Sequence, residues 1–424
     1  MSGDVRAIRG FNDILPPSSG HWQMVEHIAA DILGRAGYGE IRLPLVESTS
    51  LFARSIGAST DIVEKEMYTF EDRNGDSLSL RPEGTASCVR AGISHGLFNG
   101  SQQRLWYRGP MFRHERPQKG RYRQFHQIGA EAFGIAGADI EAELIALSAE
   151  LWRRLGLDRV TLKINSLGSV EDRARYREAL VDYLKKHEQD LDEDSRRRLS
   201  QNPMRILDSK AEQTQAILQN APHITDYLDE NNTSHFAELC RRLDALGIEY
   251  EKDPFLVRGL DYYTGTVFEW VTDALGAQDA VCSGGRYDGL VEQLGGRATP
   301  AIGWALGMER LILLAEACDR LPESGAPHVY FVTLGLEAEC EAMVLAQQLR
   351  SQVPSLRLVL NMGSGSLKAQ LRRADKARAG VALIMGDAEL EQHRVTVKFL
   401  REKRDQQALD WGDLKEFLRV RVAE

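Results

Sequence analysis

The sequence predicts an α+β protein: an antiparallel sheet with flanking helices over residues 1–325, a helical insertion at about 170–230, and a separate α/β domain over 328–424. Three observations carry this reading. Residues 104–115 and 124–133 are aromatic and apolar runs on either side of a polar loop, 116–123, that holds Pro117 and Gly120, the pattern of a long hairpin. Residues 170–200 are highly charged and set Tyr176, Leu180, Tyr183 and Leu184 at helical spacing between two strand-like regions. After a Pro/Gly/Ser-bearing linker at 318–327, strand and helix patterns alternate.

At 424 residues the chain is long enough for two or three domains with sizeable cores. Its 43% hydrophobic and 27% charged residues are ordinary for a globular protein. The N-terminal stretch MSGDVRAIRGFNDILPP lacks the apolar run of a signal peptide, and no window approaches the roughly 18 uninterrupted apolar residues of a membrane span. Five cysteines stand singly with no C-x-x-C, which argues against a disulfide framework or a zinc site and fits a cytoplasmic protein whose thiols pack as small hydrophobes. A net charge of −9 does not exclude nucleic acid, because binding depends on local basic patches.

In order along the chain, residues 19–37 form an amphipathic helix through Trp22, Val25, Ile28, Ala29 and Ile32. IRLPLVE follows as a strand interrupted by Pro44, the sign of an edge or bulge. MYTF and SLSLR flank an Asn74-Gly75 turn as a hairpin, and RPEGT then opens a helix with Thr85 as its capping residue. Residues 139–156 are helical and 161–168 a strand, and 201–250 hold two further helical stretches. Two strand runs surround Thr264-Gly265, placing Arg258 on a strand beside Gly259, where a pairing with Asp261 is the plainest role for it. AIGWALGMERLILL is a glycine-spaced strand running into an apolar helix. In the last domain HVYFVTL, LRLVL, GVALIMG and VTVKFL alternate with helices, one of which, 366–378, carries five bases against one acid.

The 104–133 hairpin is where chemistry concentrates. On its second strand Ile128, Ala130 and Ala132 share a face suited to a core. The opposite face shows Phe125, Gln127, Gly129, Glu131 and Phe133, an amide and a carboxylate among aromatic rings, which lines a pocket better than it packs. Arg113 and Glu115 share a face in the same way, and residues 104–123 hold seven bases against one acid. A solvated basic hairpin is the plain reading; a floor for a small polar molecule with arginines placed for phosphate is the sharper one. His114 and His126 point away from that face.

FRHE, a basic loop and RQFHQIGAEAFG resemble the second signature motif of class II aminoacyl-tRNA synthetases, and LVRGLDYYTG resembles a signature of histidyl-tRNA synthetases. The glycine–strand–proline passage near Pro44 and the AIGWALGMER segment resemble the first and third class II motifs, so the resemblance runs the whole chain. It implies a class II catalytic core, a helical insertion over the tRNA acceptor arm, and a C-terminal anticodon-binding domain. It further implies a homodimer that ligates L-histidine to histidine tRNA through a histidyl-adenylate, with ATP as substrate, Mg²⁺ accompanying ATP, and no protein-held metal.

The same resemblance assigns residues. Arg113 and Arg258 would flank the α-phosphate, while Arg310 and Arg121 would hold the distal phosphates. Phe125 would stack on adenine and Glu115 would meet its exocyclic amine. Glu83, Gly84, Thr85 and Gln127 would receive the histidine ammonium, Tyr262 and Tyr263 would line the histidine pocket, and Glu131 with Tyr263 would clamp the imidazole. Arg116 and Gln118 in the hairpin loop would meet the tRNA. Such a site suits the reaction, because a carboxylate attacking a phosphate needs cations and positioning more than a protein nucleophile. The alternative is a regulatory, histidine-sensing paralogue belonging to ATP phosphoribosyltransferase; such paralogues lack an intact Arg-Gly-Leu-Asp-Tyr-Tyr segment and the last domain, and this chain has both.

Overall fold

The structure, a computed structural model, describes residues 5–57, 60–276, 280–322 and 325–423. The chain divides into two compact units, Met1–Leu321 and Pro322–Glu424.

The first unit opens with helix α1 (Ser18–Arg35), whose Trp22, Val25, Ala29, Ile32 and Leu33 form one buried stripe. Pro44 limits the next passage to two short pieces, β1 (Gly39–Glu40) and β2 (Val46–Ser48), with irregular chain between them. Helix α2 (Thr49–Ile56) precedes the small hairpin of β3 (Thr69–Glu71) and β4 (Ser77–Leu80). Its turn is longer than the two residues expected from Asn-Gly: the Asp72 carboxylate accepts from the amides of Asn74 and Asp76, a side-chain-built turn. Helix α3 (Thr85–Ser94) leads into the long hairpin, β5 (Gln103–Phe112) and β6 (Gln124–Phe133). β5 stops at Phe112, so Arg113 and Glu115 lie in the connecting loop rather than on the strand.

Helix α4 (Ala138–Leu155) has acids in its first turn and arginines in its last, and it ends on Gly156 in the left-handed conformation, φ 67°. Then come β7 (Thr161–Ser166) and the insertion helices α5 (Val170–Lys185), α6 (Glu193–Gln201) and α7 (Glu212–Leu218). Ser169 and Asp172 close a capping box at the start of α5. Helix α8 (Glu230–Ala245) belongs to the main core rather than to the insertion: its Phe236, Leu239, Cys240 and Leu243 pack with α1 and α4. The unit finishes with β8 (Glu251–Lys252), β9 (Thr264–Val271), β10 (Ala280–Arg286), α9 (Leu290–Gln293), β11 (Ala301–Gly307) and α10 (Met308–Ala317). Residues 253–263 are not a strand. Arg258 therefore sits on a loop, and Thr264 begins β9 instead of turning a hairpin.

Among the described residues the main sheet has eight strands in the order β1-β5-β6-β11-β10-β9-β7-β8. Every pairing from β5 to β7 is antiparallel, while the edge strands β1 and β8 pair in parallel. Side-chain alternation splits the sheet into two faces. Trp106, Ile128, Ala130, Ala132, Phe268, Ile302 and Trp304 pack under α1, α4, α8 and α10. The other face meets α3 and the insertion through Tyr107, Met111, Phe133, Val267 and Ala301, and leaves a cavity between them.

In the second unit β12 (Val329–Thr333), α11 (Leu336–Gln352), β13 (Leu358–Leu360), α12 (Leu367–Lys376) and β14 (Val381–Met385) alternate as the pattern suggested. After α13 (Asp387–Glu391), β15 (Arg394–Phe399) and β16 (Gln407–Asp410) turn antiparallel, and α14 (Leu414–Ala423) closes the core with Leu414 and Leu418. The sheet is therefore mixed, in the order β13-β12-β14-β15-β16, and β16 and α14 lie beyond the last strand expected from the sequence. The five cysteines are free thiols; Cys88, Cys240 and Cys282 are buried, but Cys340 is exposed.

Candidate active site

The cavity, about 270 Å³, is lined by the outward-facing residues of four strands and by three loops. β6 contributes Phe125 and Gln127, β11 contributes Gly303, Ala305 and Gly307, β10 contributes Ser283, and β9 contributes Glu269. The hairpin loop adds Arg113, Glu115 and Arg121; the 258–263 loop adds Arg258, Tyr262 and Tyr263; and α10 adds Glu309 and Arg310 at its first turn. Glu83 and Thr85 close one end. A second, polar cavity of about 730 Å³ shares Arg113, Glu115, Arg121, Arg258 and Glu269 and runs on to the insertion.

Four guanidinium groups converge here, and each is held. Arg113 donates from Nε to the Pro82 carbonyl at 2.9 Å and lies 5.2 Å from the centre of the Phe125 ring. Arg121 pairs with Glu115 at 2.5 Å. Arg310 donates to the Ala280 carbonyl at 2.7 Å, and burial together with the charge of Arg121 holds its pKa below the usual arginine range. Arg258 donates from Nη1 to Glu269 at 2.7 Å and stacks over Tyr263, 5.7 Å from its ring centre. Its partner is thus Glu269, not Asp261, because the loop turns Asp261 away toward Gly57 and Asn202. Burial works against the Arg258 charge, but Glu269 outweighs it and leaves the pKa above the ordinary range.

At the other end three hydroxyl groups surround one carboxylate. Glu131 is fully buried and accepts from Tyr287 at 2.5 Å, Thr85 at 2.8 Å and Tyr107 at 3.1 Å. Burial pushes its pKa up to about 8 against the pull of those hydroxyls. It sits beneath the cavity floor under Gly303, where an added Cβ would come within 1.6 Å of its Oε2. Gly84 has a similar constraint, since a Cβ there would lie 2.2 Å from the Tyr107 ring. Phe133 packs into the core against Phe98 instead of lining the cavity.

Glu83 is buried and caps α3 by accepting from the amides of Thr85 and Ala86 at 2.6 and 2.9 Å. Thr85 is therefore the first helical residue rather than the cap, and its hydroxyl is spent on Glu131. Burial raises the Glu83 pKa, opposed by those two amides. Beside it the Oε1 of Gln127 is buried with no hydrogen-bond partner among the described residues, an acceptor waiting for a donor.

Arg116 and Gln118 are exposed in the hairpin loop, outside the cavity lining. His114 stacks edge-on with Tyr68, and His126 bonds Glu309 at 3.0 Å beside Trp22; neither lines the cavity. Sequence reasoning missed Glu269, Tyr107 and Tyr287. Glu269 is the single charge in the run TGTVFEWV, a signal that could have found it, whereas Tyr107 looks like an ordinary strand residue.

Residues 10–311 match the family model described as histidyl-tRNA synthetase, and 328–421 match an anticodon binding domain. The fold superposes on apo histidyl-tRNA synthetase of S. aureus with a TM-score of 0.80 at 36% identity, covering 98% of this chain and 100% of that one. The enzyme of Nostoc sp. PCC 7120 matches at 0.74 and 20% identity, covering 99% and 100%. An ATP phosphoribosyltransferase regulatory subunit/histidyl-tRNA synthetase from Bacillus halodurans matches at 0.66 and 23%, covering 91% and 99%; these last two likenesses speak for the fold alone. With the family model spanning most of the sequence and both units accounted for, this chain belongs to the histidyl-tRNA synthetase family.

Proposed function

We propose that this protein is a histidine–tRNA ligase, which activates L-histidine with ATP and passes the histidyl group to histidine tRNA. The observation that carries the reading is the division of one cavity into a cationic end, with Arg113, Arg121, Arg258 and Arg310, and a histidine-sized end, with Gln127, Tyr262 and Tyr263 above Glu131. The guanidinium groups are planar, permanently charged and anchored, so they can meet negative charge building on a phosphate without reorganising. Arg113 and Arg258 suit the α-phosphate, and Arg121 and Arg310 the pyrophosphate that leaves. Phe125, already under a cation, offers a face for adenine, and Glu115 an acceptor for its amine. Mg²⁺ accompanying ATP would neutralise phosphate charge.

The free acceptor of Gln127 and the carboxylate of Glu83 suit the histidine ammonium, while Tyr263 suits the imidazole and Glu131, beneath the floor, acts on it through Thr85 and Tyr287, which line the cavity. Arg116 and Gln118, exposed on the hairpin loop, suit the acceptor end of the tRNA, and the working form is a cytoplasmic homodimer. A histidine-sensing regulatory role is the second reading, favoured by the two-part description of the B. halodurans relative. The intact Arg258–Tyr263 segment and the second unit support the ligase. Amino-acid-dependent exchange of pyrophosphate into ATP, run across the common amino acids, should respond to histidine. Histidine binding without exchange would leave the sensor reading standing. One sedimentation run checks the dimer.

A further inference from the structure

Asp261, inside the segment that carries Arg258 and both tyrosines, does not line the cavity. It faces the other way and is gripped from two sides. On one side its amide donates to the Ile56 carbonyl at 3.2 Å. Gly57 lies so close, at φ +103°, that a Cβ there would sit 2.4 Å from the Asp261 Oδ2. On the other side stands the insertion. Asn202 Nδ2 donates to Asp261 Oδ1 at 3.4 Å, and Arg205 reaches within 3.0 Å of where a Cβ on Gly259 would be. Arg173, in the first turn of α5, sends Nη1 to the Tyr263 carbonyl at 2.8 Å.

Arg173 is an expensive way to hold a helix. Its Nε is buried and has no hydrogen-bond partner among the described residues. Burial lowers its pKa, and the charge of Asp261 works against that. A half-buried, incompletely satisfied cation is seldom worth more to stability than an apolar residue of the same volume. What it does supply is a fixed donor on the backbone of a residue whose ring lines the cavity.

We propose that Arg173 and Asp261 are positioning residues that latch the helical insertion to the 258–263 loop, so that Arg258, Tyr262 and Tyr263 keep their places in the site. The loop has no strand pairing of its own, so these ties share its placement with the Asp261 amide on Ile56 and the Arg258–Glu269 pair. Movement of the insertion then reaches the cationic end of the cavity and the tyrosine pair directly. A misplacement of the order of 1 Å at a reacting group can cost roughly 10²-fold in rate, so a latch of this kind has kinetic weight.

The assay rests on the ligase reading; the positioning claim does not. Arg173→Lys and Asn202→Ala are compared singly and in combination with Arg258→Lys, by histidine-dependent pyrophosphate exchange, by calorimetric titration of histidine and by thermal melts. Each single variant should lose about tenfold in kcat and bind histidine more weakly, with ATP KM little changed. In the Arg258→Lys background the further kcat loss should nearly vanish, because the latch acts through that arginine. Folded single variants with unchanged kcat and histidine affinity, or losses that simply multiply with Arg258→Lys, would overturn the latch. Should Arg173→Lys fail to fold, Asn202→Ala at the partly exposed side of Asp261 gives the same readout. If the wild type performs no exchange, the ligase reading falls, and histidine affinity in the same variants still decides the latch.

Discussion

Arg258 and Glu269 form a 2.7 Å ion pair that joins a loop to a central strand at the edge of the cavity, with Ser283 donating to the same carboxylate oxygen at 3.0 Å. Pairing fixes the guanidinium where it faces the site and keeps it charged despite burial. An arginine held this way meets charge as the pentacovalent state forms, so it acts on kcat more than on ground-state binding. Arg258→His should lower the rate of histidine-dependent pyrophosphate exchange by about 10²–10³, or ~2.7–4 kcal/mol. Arg258→Lys should recover little, because an ammonium cannot present two parallel donors. Glu269→Gln should fall between wild type and Arg258→Lys. Folded variants with near-normal kcat would make the pair structural.

Glu131 sets a second expectation, on specificity. Glu131 holds the hydroxyls of Thr85 and Tyr287, which line the cavity, and a site built to hydrogen-bond one ligand rejects those lacking the matching group by ~10⁴–10⁵. Glu131→Ala should raise histidine KM far more than ATP KM in the exchange assay. Gly303→Ala should reproduce part of that effect, because the new methyl must displace the Glu131 carboxylate. Unaltered histidine kinetics in both variants would remove Glu131 from recognition.

The same residue has a pH signature in the ligand-free protein. Its folded pKa of about 8 lies above the ordinary glutamate value of 4.5. Below about 4.5 both folded and unfolded states hold the proton, so it costs nothing. As pH rises toward 8 the unfolded chain releases the proton and the fold retains it, so the stability linked to it is progressively lost. Glu131→Gln cannot titrate. Its Tm relative to wild type should climb between pH 4.5 and 8 and then level off, and a flat difference across that window would contradict the buried, protonated state.

Arg116 and Gln118 lie outside the cavity on an exposed loop, with donors suited to base edges and phosphates. Replacing both with alanine should slow transfer of the histidyl group to tRNA and leave exchange nearly intact. Equal losses in the two steps would place them in the activation chemistry instead.

The second unit has its own core and a basic helix, α12, with Arg373 and Lys376 in its last turn. A fragment ending near Ala326 should fold, catalyse exchange at close to the full rate and charge tRNA poorly. Full charging by the folded fragment would deny that unit a part in tRNA binding.

Much of the architecture was legible in the sequence because it rests on local pattern. The long hairpin announces itself through alternation on both sides of a Pro/Gly loop, α1 and α4 through apolar spacing, and the strand-to-helix passage at 301–317 through its glycines. The arginines were legible too, because a charge among apolar neighbours needs a reason. What only tertiary structure decided was which groups satisfy one another. Arg258 reads locally as a partner for Asp261, three residues away, yet the loop sends the two side chains in opposite directions and gives Arg258 to Glu269 on β9. Thr85 reads as a helix cap until Glu83 takes both amides and leaves the hydroxyl to Glu131, 46 positions further on. Tyr107 gives no sign of a role, because a tyrosine in a strand fits a core equally well, and only folding brings its hydroxyl and that of Tyr287 onto one buried carboxylate. Local propensity is written in neighbouring residues, whereas the satisfaction of buried charge is a relation between distant ones, and folding alone creates it.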